Sequence, residues 1–172
     1  MMHGYVQVYT GDGKGKTTAA MGLALRAAGA GLKVYIAQFV KSEKYSEIIA
    51  LKRLSDLITC RQYGSGCWLQ GQPSGEDVQL ARCGLEEVRR ILAAGGHDVV
   101  ILDEANIATH FGLLSADDLT ALIDIKPPGV ELIFTGRKAD PQLIERADLV
   151  SEMREIKHYY QKGVLARKGI DN

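Results

Sequence analysis

The sequence predicts an α/β protein with a mostly parallel sheet covered by helices on both faces. Three observations support this prediction. Segments rich in β-branched and aromatic residues alternate with segments of helical period, as expected for parallel strands joined by helices. A glycine-rich loop, GDGKGKTT, separates the first strand from the first helix. The nearly continuous apolar segment Asp98–Leu102 is typical of a strand buried on both faces of such a sheet.

In the first half of the chain, strands are indicated by β-branched and aromatic residues. The first helix is indicated by alanine and leucine at helical spacing, ending near two glycines. The predicted elements are a strand at Tyr5–Tyr9, a helix from Lys16 to about Gly31, a strand at Lys33–Val40, a helical segment at Tyr45–Leu57 and a short strand at Ile58–Tyr63.

The second half continues the alternation after a glycine-rich loop, Gly64–Gly75, which carries the single tryptophan. Glycine or proline ends the longer helices, and Ser115 is a good N-cap residue. The predicted elements are a helix at Glu76–Ala94, the strand at Asp98–Leu102, a helix from Ser115 to Pro127, a strand at Val130–Thr135, a short helix at Pro141–Arg146 and a last strand at Asp148–Met153. A polar tail follows from about Arg154.

Composition narrows the class of protein. The 172 residues favour one domain, residues 1–172, and the 46% hydrophobic and 24% charged fractions are ordinary for a globular protein. Lysine plus arginine equals aspartate plus glutamate at 21 each, which gives no overall attraction to nucleic acid. The chain lacks an apolar segment long enough for a signal peptide or a membrane span. Its three cysteines have no disulfide or CxxC spacing, so we expect a cytoplasmic protein with no nucleic-acid or membrane partner.

The loop Gly11–Thr18 has the composition of a phosphate-binding loop. Gly15-Lys16-Thr17 forms the GK[ST] end of a Walker A motif, whereas Thr10 stands where the first glycine of that motif is expected. Glycines at 11, 13 and 15 would permit positive φ and let backbone N–H groups converge on phosphate oxygens. Lys16 would add positive charge, and the Thr17 hydroxyl would reach Mg²⁺. The motif predicts a P-loop, RecA-like NTPase fold that binds Mg-ATP; the alternative is a strand–helix turn with no ligand.

Two acids and one lysine complete the site predicted from the residues. Asp103 and Glu104 follow an apolar strand, as in a Walker B motif, and either carboxylate would hold Mg²⁺. The alternative is that these acids cap the next helix. For Lys14, a phosphate contact and a solvated loop lysine are equally supported. Phosphoryl transfer, ATP-driven motion and attack on ATP by a bound reactive cofactor all remain open from the residues alone.

The chain resembles the P-loop ATP:corrinoid adenosyltransferases over essentially its whole length. The resemblance is carried by TGDGKGKTTAAMGLALRAAG, VYIAQFVK, YGSGCW, VVILDEAN and ELIFTGRKADPQLIERADLVSEMREIKH, and it ends in the tail KGID. It implies that a corrinoid reduced to Co(I) attacks C5′ of ATP and that tripolyphosphate leaves. It also implies a homodimer and an external electron donor such as a reduced flavoprotein. Co(I) is itself a strong nucleophile, so no protein base is required.

The resemblance also implies roles for individual residues. Gly11, Asp12, Gly13, Lys14, Gly15, Lys16, Thr17 and Thr18 would bind the nucleotide, with Lys16 neutralising charge, Thr17 on Mg²⁺ and Asp12 near the ribose. Glu104, with or without Asp103, would complete the metal site. Arg26 would contact the nucleoside; the alternative is an ordinary helix-surface arginine.

Trp68 is where the chain departs from some relatives, which carry two aromatic residues, G-F-x-W, against the lower face of the corrin. This chain reads Gly66-Cys67-Trp68, with one aromatic residue and one residue fewer. The resemblance implies that Trp68 helps to leave cobalt four-coordinate and easier to reduce. The alternatives are a packing anchor for Trp68 and a spectator thiol for Cys67.

Two other functions compete with the transferase. A P-loop kinase acting on a small acceptor would yield ADP and a phosphorylated acceptor. An ATP-binding switch module acting on a macromolecule would hydrolyse ATP slowly and change conformation with its partner.

We predict that Trp68→Ala impairs activity mainly with Co(II) substrate and a reducing system. Without the indole ring, cobalt would keep its lower axial ligand and would be harder to reduce. Chemically prepared Co(I) substrate is the matched control and should react nearly normally. Rates measured side by side with the two substrates check this, and normal activity in the Co(II) assay would contradict it.

Overall fold

The structure, a computed structural model, describes residues 3–41, 45–66 and 72–171. The strands are β1 (Val6–Thr10), β2 (Val34–Phe39), β3 (Ile58–Tyr63), β4 (Val99–Asp103), β5 (Glu131–Thr135) and β6 (Leu149–Glu152). The helices are α1 (Lys16–Gly29), α2 (Ser46–Leu51), α3 (Gly75–Ala94), α4 (Ala105–His110), α5 (Ala116–Ile125) and α6 (Pro141–Arg146). Short 3₁₀ helices lie at Lys52–Leu54 and Tyr159–Lys162.

The six strands form one sheet in the order β3-β2-β4-β5-β1-β6, and every described pair is parallel. The fold class predicted from the sequence is confirmed. Because all strands run the same way, their carboxyl ends, with the loops that follow them, meet at one edge of the sheet. Open α/β sheets bind ligands at that edge.

The two faces of the sheet are covered by different helices, and strand alternation decides which residue faces which helix. Tyr35, Ala37 and Phe39 of β2 belong to the larger core cluster, which includes residues of α3 and α5. Val34 and Ile36 belong to the second cluster, with α1. α1 contributes buried alanines at helical spacing, and their small side chains let the helix lie close to the strands: Ala20, Ala24, Ala27 and Ala28.

Local signals explain where the longer helices begin and end. Ser115 caps α5 in a capping box with Asp118, which confirms the N-cap predicted from the sequence. Ser74 and Asp77 form the same arrangement at the start of α3, and Gly95 ends that helix in the left-handed conformation at φ 67°. Within the described residues, no helix is both long enough and apolar enough to span a membrane.

The structure differs from the sequence prediction in two short segments. α4 was not predicted, since its six residues are too few to show a helical period. The segment Tyr45–Leu57 is not one helix: α2 ends at Leu51, one 3₁₀ turn follows, and residues 55–57 are not helical. Neither six-residue helix is long enough to show a full helical period in the sequence.

Two glycines inside helices should respond oppositely to alanine. A Cβ on Gly84 of α3 would lie 2.6 Å from the Tyr63 ring and 2.9 Å from the Phe39 ring, so Gly84→Ala should lower the free energy of unfolding by about 1–3 kcal/mol. A Cβ on Gly22 of α1 meets nothing within 4 Å. Gly22→Ala should therefore raise that free energy by about 0.4–1 kcal/mol through the lower entropy of the unfolded chain. Urea denaturation of both variants checks this; a shift of the same sign in both would contradict it.

Candidate functional site

The glycine loop joins β1 to α1 at the carboxyl edge of the sheet. The ends of β2, β4 and β5 lie at the same edge and contribute Lys41, Asp103 and Thr135. β5 separates β1 from β4 in the sheet, yet Thr17 at the start of α1 reaches Asp103 at the end of β4. The two predicted halves of the site, the loop and the acidic pair, therefore adjoin.

The glycines of the loop are required for two reasons, positive φ and close approach of another backbone segment. Gly11 and Gly15 have φ of 94° and 121°, a region that disfavours side chains. Gly13 is not at positive φ, contrary to the sequence expectation for all three. A Cβ there would lie 2.6 Å from the Met153 carbonyl oxygen, to which the Gly13 N–H donates at 2.6 Å. Gly13 is needed because the chain after β6 passes this close to the loop.

Thr10 explains the departure from the Walker A pattern. It is the last residue of β1, paired in register with Glu152 of β6, and its backbone is not at positive φ. Its hydroxyl accepts a hydrogen bond from the Ala139 N–H at 3.2 Å. Position 10 thus belongs to the strand, and the loop proper begins at Gly11.

Lys16 is buried at the start of α1, with 7% of its surface exposed. Its ammonium donates to the Gly13 carbonyl at 2.6 Å, inside the curve of the loop. Burial lowers the pKa of Lys16, and the negative charge of Glu104 partly opposes that shift. A buried cation within a loop of this kind is suited to bind an anionic group.

Asp103 is fully buried and accepts hydrogen bonds from four side chains. These are Thr135 at 2.6 Å, Lys41 at 2.8 Å, Thr17 at 2.9 Å and Gln38 at 3.0 Å. Burial alone would raise the pKa of Asp103. The Lys41 ammonium and the hydroxyl donors outweigh burial, so the pKa lies below its ordinary value. The group is a carboxylate held in one orientation.

Glu104 has a left-handed backbone, with φ of 60°, and its N–H donates to the Thr135 hydroxyl at 3.0 Å. Its side chain is 22% exposed and lies 3.8 Å from the Lys41 ammonium. Burial first, and then the charge of Asp103, raise the pKa of Glu104. It occupies the N-cap position of α4, and its side chain makes no capping hydrogen bond there.

The oxygens at this point fit a hard divalent cation bound together with phosphate. No group of three or more His, Cys, Asp or Glu residues suitable for a metal occurs in the described part of the chain. Thr17, Asp103 and Glu104 supply one hydroxyl and two carboxylates. Mg²⁺ is commonly held by one or two carboxylates, with substrate phosphates and water as its other ligands.

Lys41 and Gln38 are site residues that sequence reasoning missed. Gln38 is fully buried and links the Asp103 carboxylate to Gln62, which donates to its side-chain oxygen at 3.0 Å. The signal was a polar residue inside the apolar strand VYIAQF. Lys41 had no comparable signal, since lysines after strands are usually solvated.

Lys14 contacts the end of the chain. Its ammonium donates to the Tyr159 hydroxyl at 3.2 Å and to the Ile170 carbonyl at 3.0 Å, and it forms an ion pair with Asp171. Hydrogen bonds from Lys14 and Tyr159 hold the pKa of Asp171 well below its ordinary value. The polar tail thus returns to the glycine loop, and Lys14, although 42% exposed, is paired with that tail rather than free in solvent.

The remaining predicted residues do not contact the acidic pair or the Lys16 ammonium through any hydrogen bond described for the structure. Asp12 lines a cleft of about 530 Å³ with residues of β6, the tail and the loop after β5: Arg137, Glu152, Arg154, Glu155 and Ile156. Thr18 is exposed on the first turn of α1. Arg26 is exposed ten residues after Lys16, about 15 Å along the helix axis. Trp68 and Cys67 lie outside the described residues.

Comparisons with known proteins identify related sequences over nearly the whole chain. Residues 2–172 match the family described as ATP:corrinoid adenosyltransferase BtuR/CobO/CobP. A corrinoid adenosyltransferase from Pseudomonas aeruginosa is 34% identical over 169 residues, which are 98% of this chain and 83% of that protein. The corrinoid adenosyltransferase from Escherichia coli K12 is 34% identical over 98% of this chain and 85% of its own length. The one from a Sinorhizobium species is 32% identical over 98% of this chain and 80% of its own length.

The Thr135 hydroxyl should be important to the stability of the site. Thr135→Val removes the donor to Asp103 and the acceptor of the Glu104 N–H while keeping the side-chain shape. We expect the free energy of unfolding to fall by about 1–3 kcal/mol, since buried polar groups lose their partners. Thr59→Val on the exposed side of β3 is the control and should change it by less than about 0.5 kcal/mol. Equal effects in chemical denaturation would contradict the assignment.

Proposed function

The chain belongs to the ATP:corrinoid adenosyltransferase family, and we propose that it transfers the 5′-deoxyadenosyl group of ATP to the Co(I) of a reduced corrinoid. In this reaction the cobalt electron pair forms a bond to C5′ of ATP. The C5′–O bond breaks, and its electron pair leaves with tripolyphosphate. Cobalt is thereby oxidised formally from Co(I) to Co(III).

The observation that carries the proposal is the meeting of the glycine loop with the buried acidic pair. Thr17 and Asp103 are 2.9 Å apart, and Lys16 lies inside the loop. This combination would offer a positive site to a polyphosphate next to oxygen ligands for its cation. A leaving group as highly charged as tripolyphosphate needs both.

The residues of the loop would act by binding and charge neutralisation. Gly11–Thr18 would surround the triphosphate, and Lys16 would exchange its bond to the Gly13 carbonyl for one to phosphate. Thr17 would bind Mg²⁺, with Glu104, Asp103 or both. When bound, Mg²⁺ would neutralise charge on the polyphosphate as it leaves. No side chain has to remove a proton, because the corrinoid is the nucleophile, so positioning is the main task of the protein.

Four further residues have roles in the proposal. Asp12 would contact the ribose from the cleft that it lines. Lys14 would contact phosphate only after leaving Asp171. Arg26 would contact the nucleoside, although about 15 Å of helix separate it from Lys16. Trp68 would lie against the lower face of the corrin.

We further propose a cytoplasmic homodimer of one-domain subunits that receives electrons from a reduced flavoprotein or a similar donor. The corrinoid would be cobyrinic acid a,c-diamide, cobinamide or cobalamin. The alternatives of a small-molecule kinase and an ATP-dependent switch are not favoured, because the match to the transferase family covers residues 2–172.

An anaerobic assay tests the function. We expect that Mg-ATP and chemically reduced cob(I)alamin or cob(I)inamide give a light-sensitive alkylcobalt product with one tripolyphosphate per cobalt. Lys16→Met should lower the rate about a hundredfold or more, as expected for loss of a charge directed at the leaving group. Lys33 is exposed at the amino edge of the sheet, away from the loop, so the Lys33→Met variant should react at the normal rate. Formation of ADP instead, or unchanged Co(I) and ATP despite tight ATP binding, would overturn the proposal.

A further inference from the structure

The ammonium of Lys41 lies among the oxygen atoms assigned above to a divalent cation. It is 2.8 Å from Asp103 Oδ2 and 3.0 Å from Thr17 Oγ1. Glu104 Oε1 is 3.8 Å away. The cation-binding position therefore already holds a positive charge supplied by the chain itself.

The backbone that carries Lys41 is constrained to this conformation. Val40, directly after β2, has φ of 66°, which is rare for a β-branched residue and requires support from its surroundings. Gly64 supplies contact from the end of β3: a Cβ there would lie 2.4 Å from the Val40 carbonyl carbon and 2.6 Å from the Lys41 nitrogen. The strained turn and the close glycine together direct Lys41 back over the sheet edge. An ordinary solvated lysine would need neither.

Charge balance gives the ammonium a reason to be there. Asp103 is fully buried and Glu104 is mostly buried beside it. Buried carboxylates without a nearby positive charge are strongly destabilising. The Lys41 side chain is only 16% exposed and is shared between both acids. In the nucleotide-free protein, the Lys41 ammonium neutralises the two carboxylates that a bound cation would neutralise in the Mg-ATP complex.

We propose that the Lys41 ammonium occupies the cation position in the nucleotide-free protein and is replaced by the Mg²⁺ that arrives with ATP. The inference rests on the Mg-ATP part of the proposed function. Two positive charges at one set of ligands repel, so the ammonium must leave when Mg²⁺ binds. ATP phosphates provide new anionic partners for it, whereas free Mg²⁺ provides none. The nucleotide-free protein therefore excludes free Mg²⁺ and accepts it only together with ATP.

The test measures binding of metal alone to the nucleotide-free protein. Titration with Mn²⁺, followed by its electron paramagnetic resonance signal, should give weak binding to the wild type. Lys41→Met should bind Mn²⁺ about tenfold more tightly or better, because removal of a unit charge this close has at least that effect. Its melting temperature should be lower than that of the wild type without metal and should recover with millimolar Mg²⁺.

Two variants complete the experiment. Lys33→Met removes one positive charge far from the site and should bind Mn²⁺ as weakly as the wild type. Lys41→Gln can still donate to Asp103, and it should fold and show the same tightening if Lys41→Met is too unstable to purify.

Metal binding by folded Lys41 variants that is no tighter than in the wild type would overturn the proposal. Tight Mn²⁺ binding to the nucleotide-free wild type would overturn it equally. Neither result depends on adenosyl transfer. A failure of the proposed function would appear separately, as intact ATP and Co(I) in the anaerobic assay.

Discussion

The burial of the Asp103 carboxylate is the constraint on which the site depends. A charge with no solvent contact requires partners on every side, and the chain supplies them from different elements: Thr17 of α1, Gln38 of β2, Thr135 of β5 and Lys41 after β2. Each of these bonds fixes one element relative to the end of β4. The network therefore positions the first turn of α1, and with it the glycine loop, as well as the acid itself.

The glycine loop is shaped from the other side by the chain that follows β6. The Met153 N–H donates to the Thr10 carbonyl and the Met153 carbonyl accepts from the Gly13 N–H, so two hydrogen bonds join this segment to the first part of the loop. Lys14 then binds the tail through Tyr159 and Asp171. These contacts hold the backbone of the loop from outside, while the Lys16 ammonium lies inside its curve. The tail is thus part of the architecture of the site, although its composition suggested only a polar extension.

Much of the fold could be predicted because its signals are local. The strands follow from β-branched, aromatic and apolar composition, the start of α5 from Ser115, and the ends of α3 and α5 from Gly95 and Pro127. The structure has these elements within one or two residues. The acidic pair could be predicted to lie near the loop because parallel strands share one carboxyl edge. The helix α4 was not predicted because six residues are too few to show a helical period. Positive φ was the wrong reason for Gly13, because its constraint is the close approach of Met153, 140 positions away in the sequence.

By itself, the sequence determined the class of fold, the order of its elements and the position of a phosphate-binding loop, because hydrophobic period and glycine spacing are properties of contiguous residues. The tertiary structure alone decided which charges meet. That Lys41 shares the oxygen ligands of Thr17 and Asp103, and that Lys14 pairs with Asp171, depends on strand order and on close backbone approaches. Electrostatic interactions act through distance in space, and no pattern along the chain encodes that distance.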